Sequence, residues 1–298
     1  MPELPEVETI VRGLRTVLPG RTILSVRLGK TDFVEDPVAL AELLPGRRIE
    51  TVERLGKFIR LQLSAGAGAK SAERELSLIV HLGMTGWLGV RRQDDPVAPH
   101  THAFFELEDG RELRYTDIRR FGQMRLVGGD QIDAFKDSLG QEPLEISASE
   151  FNRRLAGRRA RIKALLLDQS VFRGIGNIYA DESLWQARIH PARLAARLKP
   201  TEVLGLRKAI RRVLQHAILD RGSSISNFVD AEGQPGEYQR RHRVYGREGK
   251  PCFRCGTKIQ RAIVAGRSSY FCPRCQRAPR RARGIRAASR TSRRGFSE

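Results

Sequence analysis

Apolar residues recur three and four apart near the start of the chain. Val7, Ile10, Val11, Leu14 and Leu18 share one face of a predicted helix that Pro5 opens and Pro19-Gly20 ends. Proline suits a first helical turn, and Glu6 and Glu8 suit the positive end of the helix dipole. From Arg21 to about Gly128 the pattern changes to alternation, which predicts strands over 22–28, 49–63, 76–90, 103–115 and 123–127. Asp109-Gly110 between two alternating runs is a hairpin signal. The expected architecture is α+β and multidomain: a leading helix and two packed sheets over 2–130, then a largely helical second half. Residues 64–71, small and glycine-rich, read as a loop insertion, and 131–146 as a connection between domains.

Helical spacing returns after 146. Ser147 followed by Glu150 has capping-box spacing, with Phe151 and Leu155 on a short apolar face. Residues 161–168 continue as a helix containing Lys163. Arg173-Gly174-Ile175-Gly176-Asn177 is a glycine-bearing turn into a helix over 178–186, the kind of helix start whose N–H groups can seat a phosphate. A longer helix over 201–220 is stopped by Gly222, and 222–236 reads as a mobile loop.

Composition adds a partner. The 54 Lys and Arg against 34 Asp and Glu give a net charge of +20. From Arg240 to Glu298 there are eighteen basic and two acidic residues, so +16 of that charge lies in the last fifth of the chain. Such concentration implies a polyanion, because counterion release rewards each phosphate neutralised. An anionic membrane is the competing partner, but no amphipathic helix or lipid anchor accompanies the charge. No run of 18 apolar residues and no signal peptide appear, so a soluble, cytoplasmic protein is expected.

The four cysteines form two knuckles, Cys252-x-x-Cys255 and Cys272-x-x-Cys275, with sixteen residues between them. This is zinc-ribbon spacing, and a closed set of four thiolates leaves no position for water, so one structural Zn2+ is expected. Residues 261–271 alternate like a hairpin that would present Arg267 to a phosphate backbone.

The chain start carries the candidate chemistry. In Met1-Pro2-Glu3-Leu4-Pro5-Glu6 the Pro2 nitrogen is an inert tertiary amide while Met1 is attached. Freed of Met1 it is a secondary amine, with a pKa near the about 7.7–8.0 of an α-amino group. Such an amine can attack a sugar carbon and give an iminium, an electron sink that opens a route to elimination. Glu3 and Glu6 stand where a proton donor and an orienting carboxylate are needed. The plain alternative is a common Met-Pro start with Glu6 decorating a helix.

Several segments together resemble the bacterial formamidopyrimidine-DNA glycosylase family. They are Pro2-Glu3-Leu4-Pro5-Glu6-Val7-Glu8-Thr9, His81-Leu82-Gly83-Met84-Thr85-Gly86, Asp117-Ile118-Arg119-Arg120-Phe121-Gly122, Gly174-Ile175-Gly176-Asn177-Ile178-Tyr179-Ala180 with Asp181-Glu182, and the four-cysteine ribbon. The resemblance spans residues 2 to about 277. It implies an N-terminal β-sandwich domain (2–130), a linker (131–146), a helix-two-turn-helix DNA-binding domain (147–240) and a zinc finger (241–277); beyond it, residues 278–298 read by composition as a basic, disordered tail.

The resemblance also implies a bifunctional glycosylase and lyase of base excision repair, acting as a monomer on double-stranded DNA with oxidised purines or abasic sites. Pro2 would be the Schiff-base nucleophile and Glu3 the proton donor, with Glu6 beside them. Lys57, in Leu55-Gly56-Lys57-Phe58, would give a proton in β-elimination, and Arg267 in δ-elimination. Met84, Arg119 and Phe121 would fill the gap left by an extruded base. His81, Lys163 and Asn177 would join the DNA contacts, although His81 reads equally as a structural histidine.

Two features depart from the family pattern: the insertion at 64–71, and a tail with eight arginines from Arg277 to Arg294, expected to raise non-specific DNA affinity. Two other readings stay open: an endonuclease VIII-like enzyme for oxidised pyrimidines, and a non-catalytic zinc-ribbon DNA-binding protein.

Overall fold

A computed structural model describes residues 1–64, 75–225 and 228–278. Most of the 64–71 insertion and the arginine tail beyond 278 lie outside the described residues. The chain forms two compact units that are not contiguous in sequence: Met1–Glu145 with 169–175 and 214–241, and 146–168 with 176–213 and 242–298. Two short segments from the second half of the chain therefore pack with the N-terminal residues.

Unit 1 opens with α1 (Leu4–Val17). All five residues of its predicted apolar face, Val7, Ile10, Val11, Leu14 and Leu18, are fully buried. They share one core with the facing sides of two four-stranded sheets. The strands are β1 (Ile23–Leu28), β2 (Ile49–Leu55), β3 (Phe58–Leu63), β4 (Leu76–His81), β5 (Gly86–Arg92), β6 (Thr101–Leu107), β7 (Arg111–Asp117) and β8 (Gln123–Gly128). Their orders are β1-β6-β7-β5 and β2-β3-β4-β8, antiparallel throughout. This is the expected sandwich. The runs at 49–63 and 76–90 each break into two strands, at Gly56-Lys57 and at Leu82 to Thr85, and both breaks carry site residues.

Two helices were not foreseen. In α2 (Pro37–Leu43) the Asp36 carboxylate accepts from the Ala39 N–H and Pro37 occupies the first turn, a legible start signal. The 131–146 segment is not a bare connection, because it lies partly in α3 (Gly129–Ser138). Ile132 of α3 packs with Leu55, Ile79 and Val127 on the outer face of the second sheet. With both faces covered, β4 reads as a nearly continuous apolar run.

Unit 2 contains α4 (Ala148–Leu155), α5 (Ile162–Leu167), α6 (Asn177–Gln186), most of α7 (Pro200–Leu219) and the ribbon strands β9 (Gln260–Val264) and β10 (Arg267–Phe271). Ser147 caps α4 by accepting the Glu150 N–H at 3.1 Å. The reciprocal half of the expected capping box is missing, because the Glu150 carboxylate binds Arg153 and Arg154 instead. The central element is α6, where Ile178 to Trp185 are all buried, Asp181 and Glu182 included.

Candidate active site

The chain start is fixed by backbone hydrogen bonds within unit 1. Pro2 and Glu3 are buried and Met1 is half exposed. The Leu4 N–H donates to Gly174 O at 3.0 Å, and the Glu3 N–H to Glu6 Oε2 at 2.9 Å. Glu6 Oε1 accepts the Ser223 N–H at 2.7 Å. One buried carboxylate thus ties the helix start to the 222–223 turn, which is anchored rather than loose. A carboxylate that accepts two backbone N–H groups is held in one orientation. That makes Glu6 a brace of the chain start, with Glu3 beside Pro2.

Residues 169–175 supply the other wall. Gln169 Oε1 accepts the Gly174 N–H at 2.8 Å, and its Nε2 donates to Ile175 O at 2.9 Å. Gly174 has φ +90°, and a side chain there would strike Leu4 at 2.8 Å, so glycine is required where the loop meets the chain start. Arg54, nearly buried, donates to Glu8 at 2.8 Å and to Glu142 at 2.9 Å, and Arg173 donates to Glu142 at 3.3 Å. Burial opposes the Glu8 charge, but Arg54 outweighs it and holds this carboxyl below its usual range. Lys57 is buried in the β2–β3 turn. The adjoining Gly56 backs onto Arg173, so that turn and the 169–175 loop are in contact.

A second cluster of unit 1 lies at its surface. Met84 and Phe121 are 43% and 55% exposed, unlike core residues or sheet anchors. The Arg119 guanidinium donates to Met84 Sδ at 3.3 Å and lies 4.4 Å from the Phe121 ring centre. Beneath them Asp117 is wholly buried. It accepts from Thr85 Oγ1 (2.5 Å), Tyr115 OH (3.1 Å) and the N–H groups of Arg119 (3.2 Å) and Gly122 (2.9 Å). His81 Nδ1 accepts the Gly83 N–H at 3.1 Å, and its ring packs 5.0 Å from Phe58. Burial first, then the Lys57 charge, pushes His81 down to about 4, which favours the neutral ring that accepts the Gly83 N–H.

In unit 2, Lys163 is 0% exposed. Rather than facing solvent, its ammonium binds Asp181 at 2.7 Å, Ser268 O at 2.8 Å and Ser269 Oγ at 2.8 Å. Asn177 Nδ2 donates to the same Ser268 O at 3.0 Å. The two residues expected at DNA phosphates converge on the backbone next to Arg267. Arg267 itself is exposed at the tip of the β9–β10 hairpin, after a two-residue turn with both φ positive (Ala265, Gly266). Asp181 also accepts the Tyr270 N–H at 2.9 Å. Burial pushes Asp181 up to about 7, with Lys163 and the Tyr270 N–H pulling it back. Glu182 accepts the N–H groups of Arg243, Val244 and Tyr245 at 2.9–3.0 Å. The sequence marks Asp181 and Glu182 only by their place in a motif, and their role as ribbon anchors emerges here.

The four cysteines carry no disulfide, and their Sγ atoms all lie within 4.8 Å of one another. The closest pairs are 3.5 Å apart, close to the edge of a tetrahedron built on Zn–S bonds of about 2.3 Å. Four thiolates at this spacing repel one another, so the set fits a structural metal ion. Trp185 Nε1 donates to Cys252 Sγ at 3.5 Å, which joins the centre to α6.

Family models for the formamidopyrimidine-DNA glycosylase N-terminal domain, its H2TH domain and the zinc finger found in FPG and IleRS match residues 1–124, 139–229 and 249–278. The chain belongs to the formamidopyrimidine-DNA glycosylase family. It is 46% identical over 283 residues to the family member of Pelotomaculum thermopropionicum, covering 93% of this chain and 99% of that one. The relative in Geobacillus kaustophilus is 41% identical, with 93% and 100% covered. A solved Lactococcus lactis Fpg in complex with DNA containing an abasic site superposes with TM-score 0.84 at 34% identity, covering 93% of this chain and 100% of that one. Another structure of the L. lactis enzyme holds DNA with an oxidised pyrimidine, TM-score 0.83 at 34% identity. Among the described residues, no helix is long and apolar enough to cross a membrane.

Proposed function

We propose that this chain is a DNA glycosylase and lyase of base excision repair that acts on oxidised purines, 8-oxoguanine and formamidopyrimidines, through Pro2. The observation that carries the reading is the chain start itself. Pro2 and Glu3 sit buried at the head of a rigid helix, with Leu4 and Glu3 N–H groups both bonded, so the nucleophile and its acid are held before substrate arrives.

Once Met1 is removed, the Pro2 nitrogen attacks C1′ of the damaged nucleoside. The glycosidic bond breaks with its electron pair leaving on the base, and Glu3 protonates the ring oxygen O4′ as the sugar opens. The Pro2 nitrogen loses its proton, leaving an iminium to C1′. That cation acidifies the C2′ hydrogen, whose loss expels the 3′ phosphate, and a further elimination expels the 5′ phosphate. Lys57 is the proton donor for the first elimination and Arg267 for the second.

Met84, Arg119 and Phe121 form the wedge that occupies the space of the extruded base. Their exposure and mutual contacts suit residues that offset an unstacking cost of a few kcal/mol. Lys163 and Asn177 act by fixing the hairpin, and Arg267 and Asn177 meet the phosphate backbone. One Zn2+ held by Cys252, Cys255, Cys272 and Cys275 is structural, and the protein works as a cytoplasmic monomer on duplex DNA.

The test is borohydride trapping on a duplex containing 8-oxoguanine opposite cytosine, after mass spectrometry has established that Met1 is gone. A covalent adduct mapped to Pro2, and lost in Pro2→Gly, is expected. Absence of any adduct from processed protein that still binds the duplex overturns the mechanism. Faster excision of thymine glycol than of 8-oxoguanine would move the assignment to the endonuclease VIII type.

A further inference from the structure

At the far end of α6 from Asn177 lies a cavity of about 660 Å³ lined by Arg188, Arg193, Arg254, Arg274 and Arg277, with Glu202, Cys255 and Cys275. Two of these arginines form fixed walls. Arg254 donates to the terminal carbonyls of α6, Trp185 O and Gln186 O, while its guanidinium lies 3.8 Å from the Trp185 ring centre. Arg193 is held by both oxygens of Glu202 and by Arg197 O.

The other three behave differently. Arg188, Arg274 and Arg277 are exposed, and none of their side chains has a hydrogen-bond or ion-pair partner among the described residues. Arg188 also stands on a left-handed backbone (φ 59°) just past the α6 C-terminus.

Counter-charge within the cavity is insufficient. Five guanidiniums face one carboxylate and, with Zn2+ bound, a tetrathiolate centre of net charge minus two, which leaves two positive charges uncompensated. Guanidinium forks converging on a cavity match a phosphate oxyanion, which accepts two parallel hydrogen bonds from each. We propose that this arginine cavity is a second phosphate-binding site, separate from the Arg267 face. The helix between Asn177 and Gln186 has ten residues and is about 15 Å long. A phosphodiester held here therefore lies well away from one held at Asn177. The oxyanion belongs either to a distant stretch of DNA backbone or to a free phosphate or pyrophosphate. The site needs no Pro2 chemistry, so it stands or falls independently of the proposed reaction.

The experiment uses the zinc-loaded full chain and compares it with Arg274→Gln/Arg277→Gln, in which both substituted side chains are exposed and outside the catalytic apparatus. Pyrophosphate is titrated against Trp185 emission, which Arg254 makes sensitive to the cavity. Affinity for undamaged duplexes is measured across salt concentrations with a short duplex of about one helical turn and a long one of about three.

Wild-type protein should bind pyrophosphate, and the double variant should bind it at least about tenfold more weakly. Each phosphate contact contributes about 0.9 to the salt slope, so on the long duplex the variant should lose about one to two from that slope, and on the short duplex none. A loss confined to the long duplex assigns the site to DNA, and pyrophosphate binding with unchanged slopes assigns it to a free phosphate. Arg274→Lys/Arg277→Lys should keep the slope and weaken pyrophosphate, because lysine keeps the charge and lacks the fork. No pyrophosphate binding by wild type with equal slopes overturns the proposal, as does tighter binding of a polyglutamate peptide than of pyrophosphate. Retained zinc content and an unchanged melting temperature show that the variant is folded.

Discussion

The head of α1 and the α6–ribbon assembly both bury polar groups, but they satisfy them by opposite means. At the head of α1 a single carboxylate, Glu6, meets backbone N–H groups from Glu3 and Ser223. The apolar face of the same helix lies in the core between two sheets. In unit 2 a buried ammonium meets a buried carboxylate, a second carboxylate gathers three backbone N–H groups, and four cysteines cluster as a metal-ligand set. Hydrophobic burial holds the chain start in place, whereas the β9–β10 hairpin depends on charges that must remain balanced. The first arrangement is tolerant, and the second fails abruptly when one charge is lost.

Metal removal gives the widest separation. Structural zinc contributes on the order of 10 kcal/mol to small metal-folded domains. Chelation should therefore abolish hydrogen-exchange protection across 249–278 and most of the DNA affinity, while α1 and both sheets keep theirs. Equal loss of protection in α1 would erase the contrast. Next comes Asp181→Ala, which leaves the Lys163 ammonium buried without its carboxylate and should cost about 3–5 kcal/mol in denaturant unfolding. The paired change Asp181→Leu/Lys163→Met should recover most of that, since it removes both charges together.

Glu6→Ala tests the other side of the comparison. It leaves two buried N–H groups without their acceptor, at about 1–3 kcal/mol each. The Ser223 amide should exchange faster, and borohydride trapping through Pro2 should slow. Glu6→Gln keeps one acceptor oxygen and should fall between. If Glu6→Ala melts the ribbon as much as Asp181→Ala does, the two regions are not separately supported.

The smallest effect near neutrality is that of pH. Burial lowers His81 in unit 1, and His190 and His242 in unit 2, to about 4 each. Because the folded values lie below the unfolded value of about 6.5, the stabilisation is complete above that pH. It declines as pH falls toward 4, when the unfolded chain binds protons that the folded chain refuses. Burial lowers His102 of unit 1 as well, so each unit carries two such histidines, and hydrogen-exchange protection should fall in both units between about pH 6.5 and about 4.5.

Local patterns were legible wherever one residue's neighbours in sequence are also its neighbours in space. The α1 face, the strand alternation, the 109–110 turn and the cysteine spacing are of this kind. α2 was legible too, in Asp36-Pro37. The covering role of α3 was harder to see, because Ile132, Phe135 and Leu139 gain their meaning from the outer face of the second sheet. The candidate site divides similarly. Pro2, Glu3 and the four cysteines declare their chemistry by residue type and position. Lys163 does not: a lysine in a basic chain suggests a phosphate, and only the fold encloses it against Asp181 and Ser268.

The sequence by itself determined the kinds of element, the cysteine metal-ligand set and the polyanionic partner, and it marked Pro2 as a candidate nucleophile. These follow from backbone periodicity, covalent chemistry and net charge, which need no long-range contact. Tertiary structure alone decided that Glu6 braces a turn 217 residues away, that Asp117 holds the 119–122 loop, and that Asp181 and Glu182 hold the ribbon. The physical reason is that a buried polar group is defined by what satisfies it, and those partners are brought together only when the core closes.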